Sequence, residues 1–141
     1  MPPAELPVTQ TRRPHPHFDD RGTLDWHTRW SAALDQARTQ NKLLFVEFGR
    51  EQCSNCRALV ANVVTHEKVA PLLQAHFVAL ASDCDEPEDE VSALAEQLPD
   101  ATMLPFVLFA DSTGRFILGS EGAQSASSLL ALLERVQRKE P

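Results

Sequence analysis

The sequence predicts one α/β domain in which a mixed sheet of about four strands is flanked by helices on both faces. Two observations predict this class. The chain has 141 residues, which suits a single domain, and its 43% hydrophobic and 23% charged residues match the composition of globular proteins. Segments with helical apolar spacing alternate with short apolar runs, and strands separated by helices pair in parallel through right-handed crossovers.

The N-terminal part of the chain is predicted to lie outside this domain. Residues 1–22 are expected to form a proline-rich flexible tail, and residues 23–141 the folded domain. Five of the ten prolines lie within the first sixteen residues, and each one removes a backbone donor and fixes φ. Histidines can bind metal, but we expect His15 and His17, on an extended segment, to be solvated.

The domain is predicted to begin with a helix that carries Trp26 and Trp30 on its apolar face. Residues 43–48 form an almost continuous apolar run, as expected of a strand that is covered on both faces. The later elements are a helix over 56–64, a helical turn at 69–74, strands at 76–82, 106–110 and 116–119, a helix over 91–98, and a final helix capped by Ser125. Residues 111–114 form the hairpin turn between the last two strands, with Gly114 where a positive φ is expected.

Charge and hydropathy exclude two classes of partner. Thirteen basic and twenty acidic residues give a formal net charge of −7, so we expect no binding to nucleic acid or to anionic membranes. The longest apolar stretches, 43–48 and 104–110, are far shorter than the roughly 20 residues of a membrane span. The N-terminus lacks the apolar core of a secretory signal, and three cysteines are too few for a disulfide-rich scaffold. We therefore expect a cytoplasmic location, or a periplasmic or exported one if a signal peptide was removed.

The chemistry is predicted to lie in Cys53-Ser54-Asn55-Cys56, where the first long strand ends and a helix begins. This spacing in a βα context is typical of a redox dithiol. At the helix N-terminus, unpaired N–H groups and the helix dipole stabilise a thiolate at Cys53, which lowers its pKa from about 8.5 toward neutral. Cys56, one turn later, is predicted to be the more buried, resolving thiol.

Two other interpretations of the cysteines are open. They could be inert core residues, or half of a zinc site, which needs four ligands. A second pair of ligands could come only from Cys84 together with a histidine such as His66 or His76, and no second CxxC is present. Cys84 itself lies in an acidic loop that raises a thiol pKa, so we expect a free, unreactive thiol, with a regulatory or intermolecular disulfide as the alternative.

From Trp26 to Val136 the chain resembles the thioredoxin superfamily, and in particular its thioredoxin-like members with a Trp-bearing helix before the first strand. The resemblance rests on the strand–CxxC–helix order, a later proline that opens a strand, and a hairpin followed by a terminal helix. It implies a thioredoxin fold, with Cys53 as nucleophile and Cys56 as resolving cysteine. It also implies that Glu47 is the acidic residue buried beneath the dithiol and that Pro105 is the cis-proline that helps to present a substrate strand.

The positions of Glu47 and Pro105 in the sequence also allow interpretations that do not depend on the resemblance. A carboxyl group in an apolar strand is costly to charge, so Glu47 should be partly neutral near pH 7 and able to exchange protons with Cys56. The alternative is an edge glutamate that points to water. Pro105 could be a trans proline at a strand start. If it is cis, the backbone groups of Leu104 would be free to pair with a peptide.

The motif departs from the family at several positions. Family members usually carry an aromatic residue before the first cysteine and Gly-Pro between the two, whereas this chain has Gln52 and then Ser54-Asn55. Leu104 replaces the usual Thr, Ile or Val before the proline. The residues between the cysteines tune the reduction potential. By the resemblance, these four residues and Pro105 contact the substrate.

The sequence thus predicts an enzyme, a thiol–disulfide oxidoreductase that acts on protein disulfides through Cys53 and Cys56. A reductase is favoured because cytoplasmic dithiols are kept reduced. The reaction needs no cofactor and no metal, but it does need a redox partner that resets the dithiol. The alternative is a thioredoxin-like binding or chaperone module with little redox activity.

Overall fold

The computed structural model describes residues 12–98 and 100–139. Within these residues the elements follow the predicted alternation of helices and strands. In chain order they are β1 Trp26–His27, α1 Trp30–Gln40, β2 Leu43–Gly49, α2 Ser54–Ala58 continued by a π-helical segment Leu59–Val63, α3 Ala70–His76, β3 Phe77–Asp83, α4 Asp89–Ala95, β4 Phe106–Ala110, β5 Phe116–Glu121 and α5 Ala126–Lys139.

The strands form a mixed five-stranded sheet in the order β1-β3-β2-β4-β5. β3 pairs in parallel with both β1 and β2, whereas β4 pairs antiparallel with β2 and β5. The predicted mixed α/β thioredoxin fold is therefore confirmed, and the prediction of about four strands missed only the two-residue β1. β2 lies at the centre of the sheet and is buried at all seven positions, so any polar side chain on it lies inside the protein.

Trp26 lies in β1 and not in the first helix, which begins only at Trp30. The indole Nε1–H of Trp26 donates to the buried carboxylate of Asp20 at 2.9 Å, and the Trp26 backbone pairs opposite Ala79. Glu88 is the N-cap residue of α4. Its carboxylate accepts the backbone N–H of Trp30, the first residue of α1, at 2.7 Å. The contacts with Ala79 and Glu88 join distant parts of the chain, so the helical spacing of the two tryptophans was misleading.

The N-terminal segment packs against the domain, so the prediction of a flexible tail up to residue 22 is wrong from residue 12 onward. His15, Phe18 and Asp20 are each at most 6% exposed. Phe18 joins the core cluster on one face of the sheet, and the ring of His15 stacks on Phe18 and meets the edge of Trp26. The remaining predicted tail, residues 1–11, lies outside the described residues.

Two apolar clusters cover the two faces of the sheet. One includes Cys56, Phe45 and the buried face of α5, and the other includes Trp30 and Leu44. The predicted turn and caps are present: Gly114 has φ 91°, and Ser125 Oγ accepts the Ser128 N–H at 3.0 Å. No helix in the described part of the chain is long and apolar enough to cross a membrane.

Candidate active site

Cys53 and Cys56 are joined by a disulfide at the point where the chain passes from β2 into α2. Their Cα atoms are 5.2 Å apart, within the usual range for a disulfide. Cys53 is the N-cap of α2, and its Sγ accepts the Cys56 N–H at 3.1 Å. A sulfur in this position receives a donor that would stabilise a thiolate after reduction.

The two sulfurs differ in their access to solvent. Cys56 is completely buried, whereas Cys53 is partly exposed. An incoming disulfide can therefore reach Cys53 but not Cys56. The helix beneath the pair changes to π-helical geometry at Leu59–Val63, an irregularity that is frequent near functional sites.

Glu47 lies on the central strand and is only 2% exposed, so the alternative of an edge glutamate pointing to water is excluded. Burial is the main cause that raises the pKa of Glu47 above its ordinary value of 4.5, and a hydrogen bond from His15 opposes this rise. The carboxyl group is therefore easier to protonate than an exposed glutamate.

Glu47 and Cys56 are close neighbours on either side of Gly49. A Cβ atom built on Gly49 would lie 2.6 Å from Cys56 Sγ and 2.6 Å from Glu47 Oε2. These two atoms can therefore be no farther apart than twice that distance. The missing side chain at position 49 leaves the space in which the carboxylate and the buried sulfur face each other.

His15 belongs to the site, although its sequence position predicted a solvated side chain. Its Nε2 lies 2.8 Å from Glu47 Oε1, and its Nδ1 accepts the backbone N–H groups of His17 and Phe18 at 3.0 and 3.3 Å. The only signal for its burial in the sequence was the apolar Phe18 shortly after it. Nothing local indicated that its partner lies 32 residues later in the chain.

The Leu104–Pro105 peptide bond is cis, the isomer that the resemblance implies, so the alternative of a trans proline is wrong. The Leu104 carbonyl accepts a long hydrogen bond of 3.4 Å from Asn55 Nδ2. This contact connects the segment before Pro105 to the CxxC motif. The Leu104 carbonyl was predicted to be free, but it already accepts this hydrogen bond. Met103, the residue before Leu104, has a side chain that is 55% exposed. No role was predicted for it from the sequence.

The other residues predicted to contact a substrate are next to the two cysteines in the sequence. Gln52 and Ser54 are exposed, and Asn55 is partly buried.

Cys84 is a free, partly buried thiol. Burial is the largest influence on the Cys84 pKa and raises it; Arg50 opposes the rise, and Asp85 adds to it. A smaller fraction of Cys84 is therefore ionised near neutral pH, and burial contributes more to this than the acidic loop from which it was predicted.

This chain is similar in sequence to known proteins. A model of the thioredoxin-like family matches residues 25–112, more than half of the chain. Spermatogenesis-associated protein 20 from Homo sapiens is 30% identical over 66 residues, which cover 47% of this chain and 8% of that protein. The protein of the same name from Rattus norvegicus is 29% identical over 66 residues. The chain thus matches less than a tenth of the length of either relative.

Solved structures share the fold over most of the chain. A putative disulphide-isomerase from Bacteroides thetaiotaomicron superposes with a TM-score of 0.66 at 27% identity, covering 84% of this chain and 94% of that one. A thioredoxin from Thermus thermophilus gives 0.66 at 24% identity, with 83% and 89% covered. A disulphide isomerase from Xylella fastidiosa Temecula1 gives 0.63 at 20% identity, with 76% and 87% covered.

Proposed function

Because this chain belongs to the thioredoxin-like family, we propose that it is a thiol–disulfide oxidoreductase that acts on protein disulfides through Cys53 and Cys56. One observation carries the proposal: an accessible sulfur at a helix N-terminus is bonded to a buried sulfur that faces a buried carboxyl group. A structural disulfide needs neither the difference in access nor the carboxyl group.

In the reductase direction, the Cys53 thiolate attacks one sulfur of a substrate disulfide. A bond forms between Cys53 and that sulfur, and the other substrate sulfur leaves as a thiolate that takes a proton from water. Cys56 then loses its proton and attacks Cys53 Sγ. The second substrate sulfur leaves and is protonated, so one substrate disulfide is reduced while the Cys53–Cys56 disulfide forms.

Substrate docking is proposed at the segment before Pro105. The cis bond and the exposed Met103 belong to a backbone segment next to the CxxC motif that also offers an apolar side chain. A peptide that binds along this segment would use main-chain hydrogen bonds, as in strand-addition complexes. Asn55 would have to release the Leu104 carbonyl, or share it, when the peptide binds.

The names of the similar structures support the reaction class: one is a disulphide isomerase, one a putative disulphide-isomerase and one a thioredoxin. We propose the reductase direction and a cytoplasmic location together, because dithiols there are kept reduced. A separate redox partner would then return the disulfide to the dithiol, and no cofactor would be required.

Trapping of the mixed disulfide tests this function. The variant Cys56→Ser can form the disulfide between Cys53 and a substrate but cannot resolve it. Protein adducts that dithiothreitol cleaves should therefore accumulate. The variant Cys53→Ser is the matched control and should trap none, because Cys56 is buried. Both variants carry Cys84→Ser as well, because Cys84 is a free, partly buried thiol that could form adducts of its own. Equal trapping by both variants, or none by either together with no reduction of insulin, would instead favour a binding or chaperone module.

A further inference from the structure

We propose that His15, carried onto the site by the N-terminal segment, is a positioning residue that holds Glu47 as the acceptor of the Cys56 proton during exchange. The exchange step rests on the function proposed above. The hydrogen-bonded arrangement of His15 and Glu47 can be tested without it.

The hydrogen bonds of His15 fix its tautomer. Its Nδ1 faces two backbone N–H donors, those of His17 and Phe18, so this nitrogen must present a lone pair. The ring proton is therefore on Nε2, which points at Glu47 Oε1. His15 is thus a neutral hydrogen-bond donor that favours the ionised form of the carboxylate.

The two oxygens of Glu47 have different neighbours. Oε1 accepts the hydrogen bond from His15, whereas Oε2 lies beside the Gly49 α-carbon, where Cys56 Sγ also lies. With Oε1 held by the imidazole, Oε2 is left facing the sulfur. A carboxylate fixed in this way can take a proton from one side while it is held on the other.

A cavity of about 250 Å³ gives this pair a route to solvent, and both His15 and Glu47 line it. Gly49 also lines the cavity, on the side of Cys56. The other titratable groups that line it are His17, Asp83, Glu86 and Glu88. Water in the cavity could collect the proton from Glu47 after each turnover.

In the proposed step, Cys56 gives its proton to Glu47 and its electron pair to Cys53. The Cys56 S–H bond breaks and its proton moves to Glu47 Oε2, while the Cys56 electron pair forms the bond to Cys53 Sγ. The bond between Cys53 and the substrate sulfur breaks, and the substrate leaves with its electron pair as a thiolate. Glu47 then gives the proton to water in the cavity, and His15 keeps its own proton throughout.

This role predicts the direction in which the Glu47 pKa moves when His15 is replaced. Burial raises the pKa of Glu47, and His15 lowers it, chiefly through its hydrogen bond. His17 also lowers it, and Asp83 raises it. Loss of the imidazole should therefore raise the Glu47 pKa further, so that the carboxyl group remains protonated to a higher pH and cannot accept the Cys56 proton near neutrality.

The first test uses the wild-type disulfide form and needs no variant. Long-range ¹H–¹⁵N correlation spectra of the histidine rings should show His15 with its proton on Nε2, and its Nε2 shift should follow the titration of Glu47. A proton on Nδ1, or a doubly protonated ring while Glu47 is ionised, would overturn the proposal.

The second test measures the Glu47 titration by ¹³C NMR of labelled glutamate carboxyl groups, with Glu47→Gln used to assign the signal. His15→Phe should move the midpoint upward, and His15→Gln, which keeps an N–H donor, should move it less. His76→Phe is the control, because His76 is an exposed residue at the end of α3, and it should leave the midpoint unchanged. An unchanged or lowered midpoint in His15→Phe would overturn the proposal.

A third measurement tests whether His15 and Glu47 contribute to thiol–disulfide exchange. Single-turnover resolution of a Cys53 mixed disulfide should show its pH profile shifted upward in His15→Phe, with the rate recovering at high pH. This recovery separates a positioning role from loss of structure. If the NMR shift is observed but wild type performs no exchange, the proposed function fails and the His15–Glu47 arrangement stands. If exchange occurs with the same pH profile in both proteins, His15 has no role in it.

Discussion

Glu47 Oε2 and Cys56 Sγ face each other across the α-carbon of Gly49, where an added Cβ would lie 2.6 Å from each of them. Gly49 is the last residue of β2 and Cys56 lies in the first turns of α2. The close approach of strand and helix at this glycine is what brings a buried carboxyl group to the resolving sulfur.

Substitution Gly49→Ala is predicted to disturb both groups at once. A contact of 2.6 Å cannot be kept, so either the sulfur or the carboxylate must move. The free energy of unfolding should fall by about 1–3 kcal/mol, as for other overpacked sites, and exchange should slow. Urea denaturation and insulin reduction measure the two effects. Gly22→Ala is a comparison for backbone strain without overpacking, since Gly22 has φ +71° and no atom lies within 4 Å of its added Cβ. Wild-type activity in Gly49→Ala would contradict the proposed approach of the two groups.

The free energy of unfolding of Glu47→Gln, relative to that of the wild type, is predicted to increase as the pH rises. A carboxyl group whose pKa is raised in the folded state destabilises that state once the unfolded chain ionises near 4.5. The penalty grows with pH up to the raised pKa of Glu47 and is then constant, and glutamine does not carry it. Urea denaturation of both disulfide-bonded proteins across this range measures the difference. A difference that is independent of pH would mean that the Glu47 pKa is not raised.

Asp20→Ala is predicted to lower the free energy of unfolding by about 2–3 kcal/mol, because buried donors lose their acceptor. The Asp20 carboxylate accepts the Leu24 N–H and the Trp26 indole N–H, both at 2.9 Å. Asp19→Ala removes an exposed carboxylate that accepts the Arg21 N–H at 2.8 Å, and it should lower stability by no more than about 1 kcal/mol. Equal effects of the two substitutions would show that the N-terminal segment contributes little to the domain.

Met103→Ser is predicted to raise KM for protein disulfides severalfold and to leave the reduction of a small-molecule disulfide unchanged. The reason is that the exposed thioether would contact a bound peptide without touching the reacting sulfurs. Met103→Leu keeps the apolar contact and should remain close to wild type. Parallel loss of activity toward both substrates would place the effect at the dithiol and not at docking.

The features that the sequence predicted well depend on local patterns. The CxxC spacing, the apolar run of β2 and the turn at Gly114 each follow from residues that are adjacent in the chain, and these fixed the fold class and the position of the dithiol. The burial of Glu47 followed from its place within an apolar run.

The features that the sequence predicted wrongly depend on contacts between distant residues. Trp26 has helical spacing with Trp30, but its backbone pairs with the distant Ala79 and therefore lies in a strand. The prolines beside His15 suggested an extended, solvated segment. Burial of His15 against Glu47 depends on a partner 32 residues away, which no local pattern reveals.

The reduction potential of the Cys53–Cys56 pair tests the central claim most directly. Equilibration of the protein with glutathione or dithiothreitol buffers, followed by alkylation of free thiols, measures it. Catalytic pairs of this kind have potentials from about −270 to −120 mV, whereas structural disulfides lie below about −300 mV. We predict a value within the catalytic range and toward its reducing end. A value below about −300 mV would identify the pair as a structural disulfide and contradict the proposed exchange.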